Sequence, residues 1–183
     1  MDWLRDWSAE QCARMAALAG RTVVDYRGIE MAVVESGPKS RPVFAATDAD
    51  FVQLLGLHVA FDDGRHAAVR TTQHEFTWSL SLADDDDARA VEAVETGGIY
   101  RRAALANLPR GRIERVRTVT DPQGLILALV LTVGGVDVAL GAGEAHERLE
   151  EPPAVKMPDE SVLVFRSVAA LQRHLPDPGA AAS

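Results

Sequence analysis

The sequence predicts an α+β domain that is mainly antiparallel sheet, a meander plus a hairpin, with an N-terminal helix and two or three short helices. Three observations predict it. Apolar residues alternate along several short segments. Glycine-containing turns separate those segments at close intervals. Helical spacing is confined to brief stretches near residues 8–19, 48–55, 88–95 and 168–175. A chain of 183 residues fits one domain, read here as 1–175 with a flexible tail at 176–183. A chain of this size buries roughly 70% of its unfolded surface, enough to fold without disulfides or metal.

The elements follow in order. Ser8 and Gln11 have capping-box spacing, Trp7 and Cys12 are placed as a hydrophobic staple, and Cys12, Met15, Leu18 and Ala19 recur at helical spacing before Gly20. Trp3 and Leu4 extend this helix or pack as an arm. Thr22–Tyr26 and Ile29–Glu35 read as extended segments around Gly28, followed by a loop over 36–42. Asp48 caps a short helix through Phe51, Leu54 and Leu55 that Gly56 ends. Leu57–Val69 is a hairpin about Asp63-Gly64, and Phe76–Leu82 a further strand. Asp84, Asp85, Asp86 and Asp87 suit the first turn of a helix running to Glu95. Residues 99–111 carry no clear pattern.

The last part of the chain reads most plainly. Arg112–Thr120, the Asp121-Pro122-Gln123-Gly124 turn, the doubly apolar run Leu125–Val133, Gly134-Gly135 and Val136–Ala142 make a three-stranded meander. An acidic, proline-containing loop leads to a strand at Ser161–Phe165 and a closing helix at Val168–Leu175. A shift of 71 residues lays Val59 on Val130, Gly64 on Gly135, Ala67 on Val138 and Val69 on Leu140. The candidate halves of this pseudo-repeat are 21–98 and 108–175.

The totals exclude several classes. Nineteen basic residues stand against 27 acidic ones, a net charge of −8, which opposes nucleic-acid binding. Only Lys39 and Lys156 are lysines. The single cysteine, Cys12, allows no internal disulfide and no cysteine-based zinc site. The N-terminus lacks signal-peptide character and no apolar run is long enough to span a membrane, so the expected compartment is the cytoplasm.

No known catalytic motif is legible. His58, His66 and His74 recur every eight residues, but a two-residue turn at Asp63-Gly64 sets His66 opposite Phe61 and so on the face away from His58. His74-Glu75 lacks the second histidine of a zinc-protease helix, since Trp78 stands there. Gly141-Ala142-Gly143 fails the dinucleotide fingerprint at His146. No metal ligand set and no cofactor is expected. Arg101, Arg102, Arg110, Arg112, Arg115 and Arg117 form a basic stretch, either an outward face paired with acids or an anion patch. Glu144, His146 and Glu147 lie beyond a strand with Asp159 and Glu160 across a loop. They read as a solvated rim or as an acid–base pair without a nucleophile.

The segments Leu108–Ile113, Val138–Glu144 and Asp159–Phe165 resemble a loose group of small bacterial proteins. In these a meander ends in an Ala-Gly-Glu turn, and an Asp-Glu-x-Val-Leu-Val-Phe strand follows. Many of that group look like immunity proteins of polymorphic-toxin systems. The resemblance covers part of the chain and carries no functional residue with it. It implies a non-enzymatic protein that occludes a basic toxin domain. The acids Asp84 to Asp87, Glu144, Glu147, Glu150, Glu151, Asp159 and Glu160, with His146, are then the candidate partner surface. The alternatives are a small-molecule or adaptor domain with a pocket between sheet halves, or an enzyme of unrecognised type. The oligomeric state is not readable from the sequence.

Overall fold

The apolar run after Leu125 sets the architecture. It forms strand β9 (Ile126–Val133), in which all eight residues are buried, as in a strand covered on both faces. Strands β8 (Gly111–Thr120) and β10 (Val136–Ala142) flank it antiparallel, completing the predicted meander. Gly134 and Gly135 both take positive φ in the two-residue turn that sets Val133 opposite Val136. At the other turn the Asp121 carboxylate accepts the Leu125 N–H, and the Gly124 N–H donates to the Asp121 carbonyl.

In the computed structural model, residues 3–37, 41–45, 49–83, 96–148 and 151–176 are described. The predicted helix after Asp87 and most of the tail lie outside them. Helix α1 (Trp3–Ala16) precedes β1 (Thr22–Met31), β2 (Val34–Gly37), β3 (Arg41–Val43), β4 (Phe51–Phe61), β5 (His66–His74), β6 (Thr77–Ala83) and β7 (Tyr100–Arg102). After the meander come β11 (Glu144–Arg148), β12 (Glu151–Lys156), β13 (Val162–Phe165) and helix α2 (Val168–His174). Among the described residues no helix is long and apolar enough to cross a membrane.

The sheet closes on itself. β4 pairs with β13 at one end and with β1 along most of its length; β13 pairs with β10, and β1 meets β8 through Thr22 opposite Arg112 and Val23 opposite Gly111. The ring β1-β4-β13-β10-β9-β8 is a six-stranded antiparallel barrel, with β5 and β6 continuing from β4 and β7 from β1. Leu54, Leu57, Ile113, Leu129, Leu131, Leu140 and Val162 belong to its main core cluster and are fully buried. A barrel of so few strands has room only for its own side chains. A second cluster packs Ala128, Val130, Ala139, Leu163 and Phe165 against Ala170 and Leu171 of α2.

Several expectations are overturned. The segment expected as a helix after Asp48 is the start of β4. Phe51, Leu54 and Leu55 have helical spacing, but the pairing of Phe51–Leu54 with β13 decides the conformation. Helix α1 begins at Trp3, so Ser8 and Gln11 are not a capping box: both are buried against the sheet, and Gln11 Oε1 accepts the Leu82 N–H at 2.8 Å. Gly28 does not divide two strands but lies inside β1, where a Cβ would come 3.0 Å from Leu54 Cδ1 and 3.2 Å from the Gly56 carbonyl. The acidic loop after Gly143 is instead the two-stranded ribbon β11–β12, whose outer edge tolerates Pro152 and Pro153.

The β4–β5 hairpin corrects the histidine geometry. Phe61 N–H donates to the Arg65 carbonyl and Ala60 pairs with His66, so the loop is the three residues Asp62-Asp63-Gly64, with Gly64 at φ 78°. That one extra residue moves His66 onto the face of His58. Their rings stack with centroids 4.8 Å apart. The two hairpins related by the 71-residue shift thus close differently: Val59 packs inside the barrel and Val130 in the outer cluster.

Candidate functional site

The site grows from a long bent hairpin. β10 runs past Gly143 into β11, and β12 returns into β13. Gly143 N–H donates to the Ser161 carbonyl at 2.8 Å, and on the far side of the bend Glu144 pairs with Lys156. The return side therefore holds extra residues, 157–160, that stand outside the ladder. This bulge brings Asp159 and Glu160 back beside β11. It is possible because residue 143 is glycine: a Cβ there would lie 2.7 Å from Met157 Cγ and 2.9 Å from the Lys156 carbonyl. Gly141 lies under the same methionine, with Met157 Cε 2.6 Å from where its Cβ would be. The glycines that imitate a dinucleotide fingerprint serve this close crossing instead.

Two further side chains hold the bulge and ribbon to the nine-stranded sheet. Gln53, fully buried on β4, accepts the Ala145 N–H through Oε1 at 2.7 Å and donates from Nε2 to the Ala32 carbonyl at 3.4 Å. The Thr71 hydroxyl on β5 donates to the Glu160 carbonyl.

Glu144 and His146 stand two residues apart and so share one face of β11. His146 Nε2 lies 3.2 Å from Asp159 Oδ2, and Lys156 Nζ lies 2.9 Å from the same oxygen. Asp159 Oδ1 accepts the Glu160 N–H at 2.9 Å. One ligand-type atom from each of Glu144, His146 and Asp159 falls within 4.8 Å of the others. Asp159 is buried, whereas the His146 side chain is half exposed. Burial pushes the Asp159 carboxyl up, but the hydrogen bonds from Lys156, His146 and the Glu160 amide outweigh it and hold the group below the usual range. Glu144 is raised, first by burial and then by the neighbouring charges of Glu160 and Asp159, against the pull of His146.

An imidazole bonded to a carboxylate is an acid–base pair, but the side chains beside it, Glu144 and Lys156, bring neither hydroxyl nor thiol. The cluster is better suited to receiving positive charge. Of the predicted surface, Glu144, His146, Asp159 and Glu160 come together here. Glu147 and Glu151 belong to β11 and β12. Asp84 to Asp87 and Glu150 lie outside the described residues.

The remaining candidates disperse. Arg101 forms a two-pronged bond to the buried Glu30, and Arg110 pairs with Asp25, whose carboxyl is lowered chiefly by that bond. Arg115 and Arg117 are exposed on β8. His74 is covered by Trp7 and Trp3, at ring-centroid distances of 4.2 and 5.3 Å. Sequence reasoning passed over Gln53, Thr71 and Met157. A glutamine inside the apolar run Phe51–Phe61 was the one signal available for the first of these. No protein-family model matches the chain, nor does any curated protein or solved structure.

Proposed function

We propose that the protein is a non-enzymatic protein-binding domain whose β11–β12 face covers a basic partner, and most specifically an immunity protein that occludes the active cleft of a cognate bacterial toxin. The observation that carries this reading is the gathering of Glu144, Asp159 and Glu160 where the bulge meets a ribbon that is a separate sheet from the barrel. The barrel interior is occupied by its own leucines and valines, so its closed core is structural support for that face. An acidic surface carrying part of a net charge of −8 accelerates encounter with a basic cleft and disfavours acidic competitors.

Affinity capture from lysate of the native cell, at low and high salt, tests this reading. A single basic protein should be recovered at low salt and depleted at high salt. The double variant Glu144→Gln/Glu160→Gln should slow its association about tenfold at low salt. Recovery of no protein partner at either salt would remove the immunity reading.

A further inference from the structure

We propose that Glu144, His146 and Asp159 form a binding site for a divalent transition-metal cation of the zinc type. The donors come from two separated pieces of chain, one face of β11 and the bulge before β13. One imidazole nitrogen and two carboxylate oxygens suit a borderline cation, and two carboxylates balance its charge. In tetrahedral coordination with bonds of about 2.0–2.1 Å, donor atoms lie about 3.4 Å apart. Here His146 Nε2 and Asp159 Oδ2 are already 3.2 Å apart, and all three donors lie within 4.8 Å. Side-chain rotation at the half-exposed His146 and the partly buried Glu144 is enough to close the set. Solvent supplies the remaining position, as in open sites.

Lys156 gives the proposal its distinguishing feature. Its Nζ sits 2.9 Å from Asp159 Oδ2, the oxygen a metal would take, while most of its side chain is exposed. In the metal-free state the Lys156 ammonium and the His146 ring nitrogen both lie against Asp159 Oδ2. Metal binding swings Lys156 into solvent, and the cation takes the unprotonated ring nitrogen of His146. The site does not depend on what the acidic face covers. The cation would join the ribbon to the bulge and so stabilise the bent hairpin.

The test uses the full chain, treated with chelator and then dialysed. Zn2+ is titrated during thermal unfolding, and Co2+ replaces it for absorption spectroscopy. At a metal concentration about 100 times Kd the melting temperature should rise by roughly 5–10 °C, and Co2+ should give visible bands of a four- or five-coordinate N/O site. His146→Ala, which removes a half-exposed side chain and leaves the fold intact by circular dichroism, should lose both responses. Lys156→Gln removes the competing cation and should bind Zn2+ several-fold more tightly. An unchanged melting temperature in the native chain overturns the proposal. So does an equal response in His146→Ala, which would place the metal elsewhere, or an unchanged or weaker affinity in Lys156→Gln.

Discussion

Gln53 is tolerated, fully buried, near the start of β4 because both ends of its amide are bonded, one to each of two backbone segments. Gln53→Leu keeps the volume but leaves the Ala145 N–H without its acceptor. The expected cost is about 1–3 kcal/mol, read from the denaturant midpoint. His74 makes a prediction about pH. Burial lowers its pKa below the ordinary value of 6.5, so folding favours the neutral ring. The unfolded chain therefore takes up the proton first, and stability should fall as pH drops below about 6.5 until the folded pKa is reached. His74→Phe should flatten that part of the profile, with Trp3 and Trp7 fluorescence reporting the packing. The residue scale is also where the sequence was least legible. Whether His58 and His66 share a face turns on one loop residue, and a Asp-Gly pair fits both a two-residue and a three-residue loop.

Among the elements, the bent hairpin depends on its glycine. Gly143→Ala would drive a Cβ to 2.9 Å from a backbone oxygen, which cannot swing away as a side chain can. A loss of about 1–3 kcal/mol is expected, measured by chemical unfolding, with the bulge and Asp159 displaced from His146. Helix α2 carries an independent test. The Ser167 hydroxyl accepts the Ala170 N–H at 3.1 Å as an N-cap, so Ser167→Ala should cost about 1 kcal/mol. The meander was legible because its signals are local: glycine turns, and a run apolar on both faces. The ribbon was not, because prolines and acids read as loop, and its pairing is visible only once Glu144 and Lys156 are brought together. β4 was misread for a related reason, since three apolar positions fit a helix until β13 and β1 supply partners.

Closure of the barrel joins residues far apart in the chain. β4 meets β13, and β1 meets β8, across more than half the sequence between them in the first case. No local pattern announces such pairings, so the sequence predicts antiparallel sheet and leaves the ring unseen. The same connections mean that the candidate halves 21–98 and 108–175 share one interior. Expressed separately, neither half should give a cooperative unfolding transition, whereas the full chain should unfold in one step by calorimetry. Leu129→Ala, deep in that interior, should cost about 2–5 kcal/mol and lower the midpoint equally for probes in either half.

The bend at Gly143 also divides scaffold from arm. Inward from it, the buried residues of β10 and β13 are committed to the interior or to the cover of α2. Beyond it the described strands of the ribbon form a sheet of their own, fastened to the outer cluster through Ala145 and Val155. The arm is thus tied to the scaffold by a short apolar seam at its root, and a load placed on the arm is borne by the outer cluster through that seam.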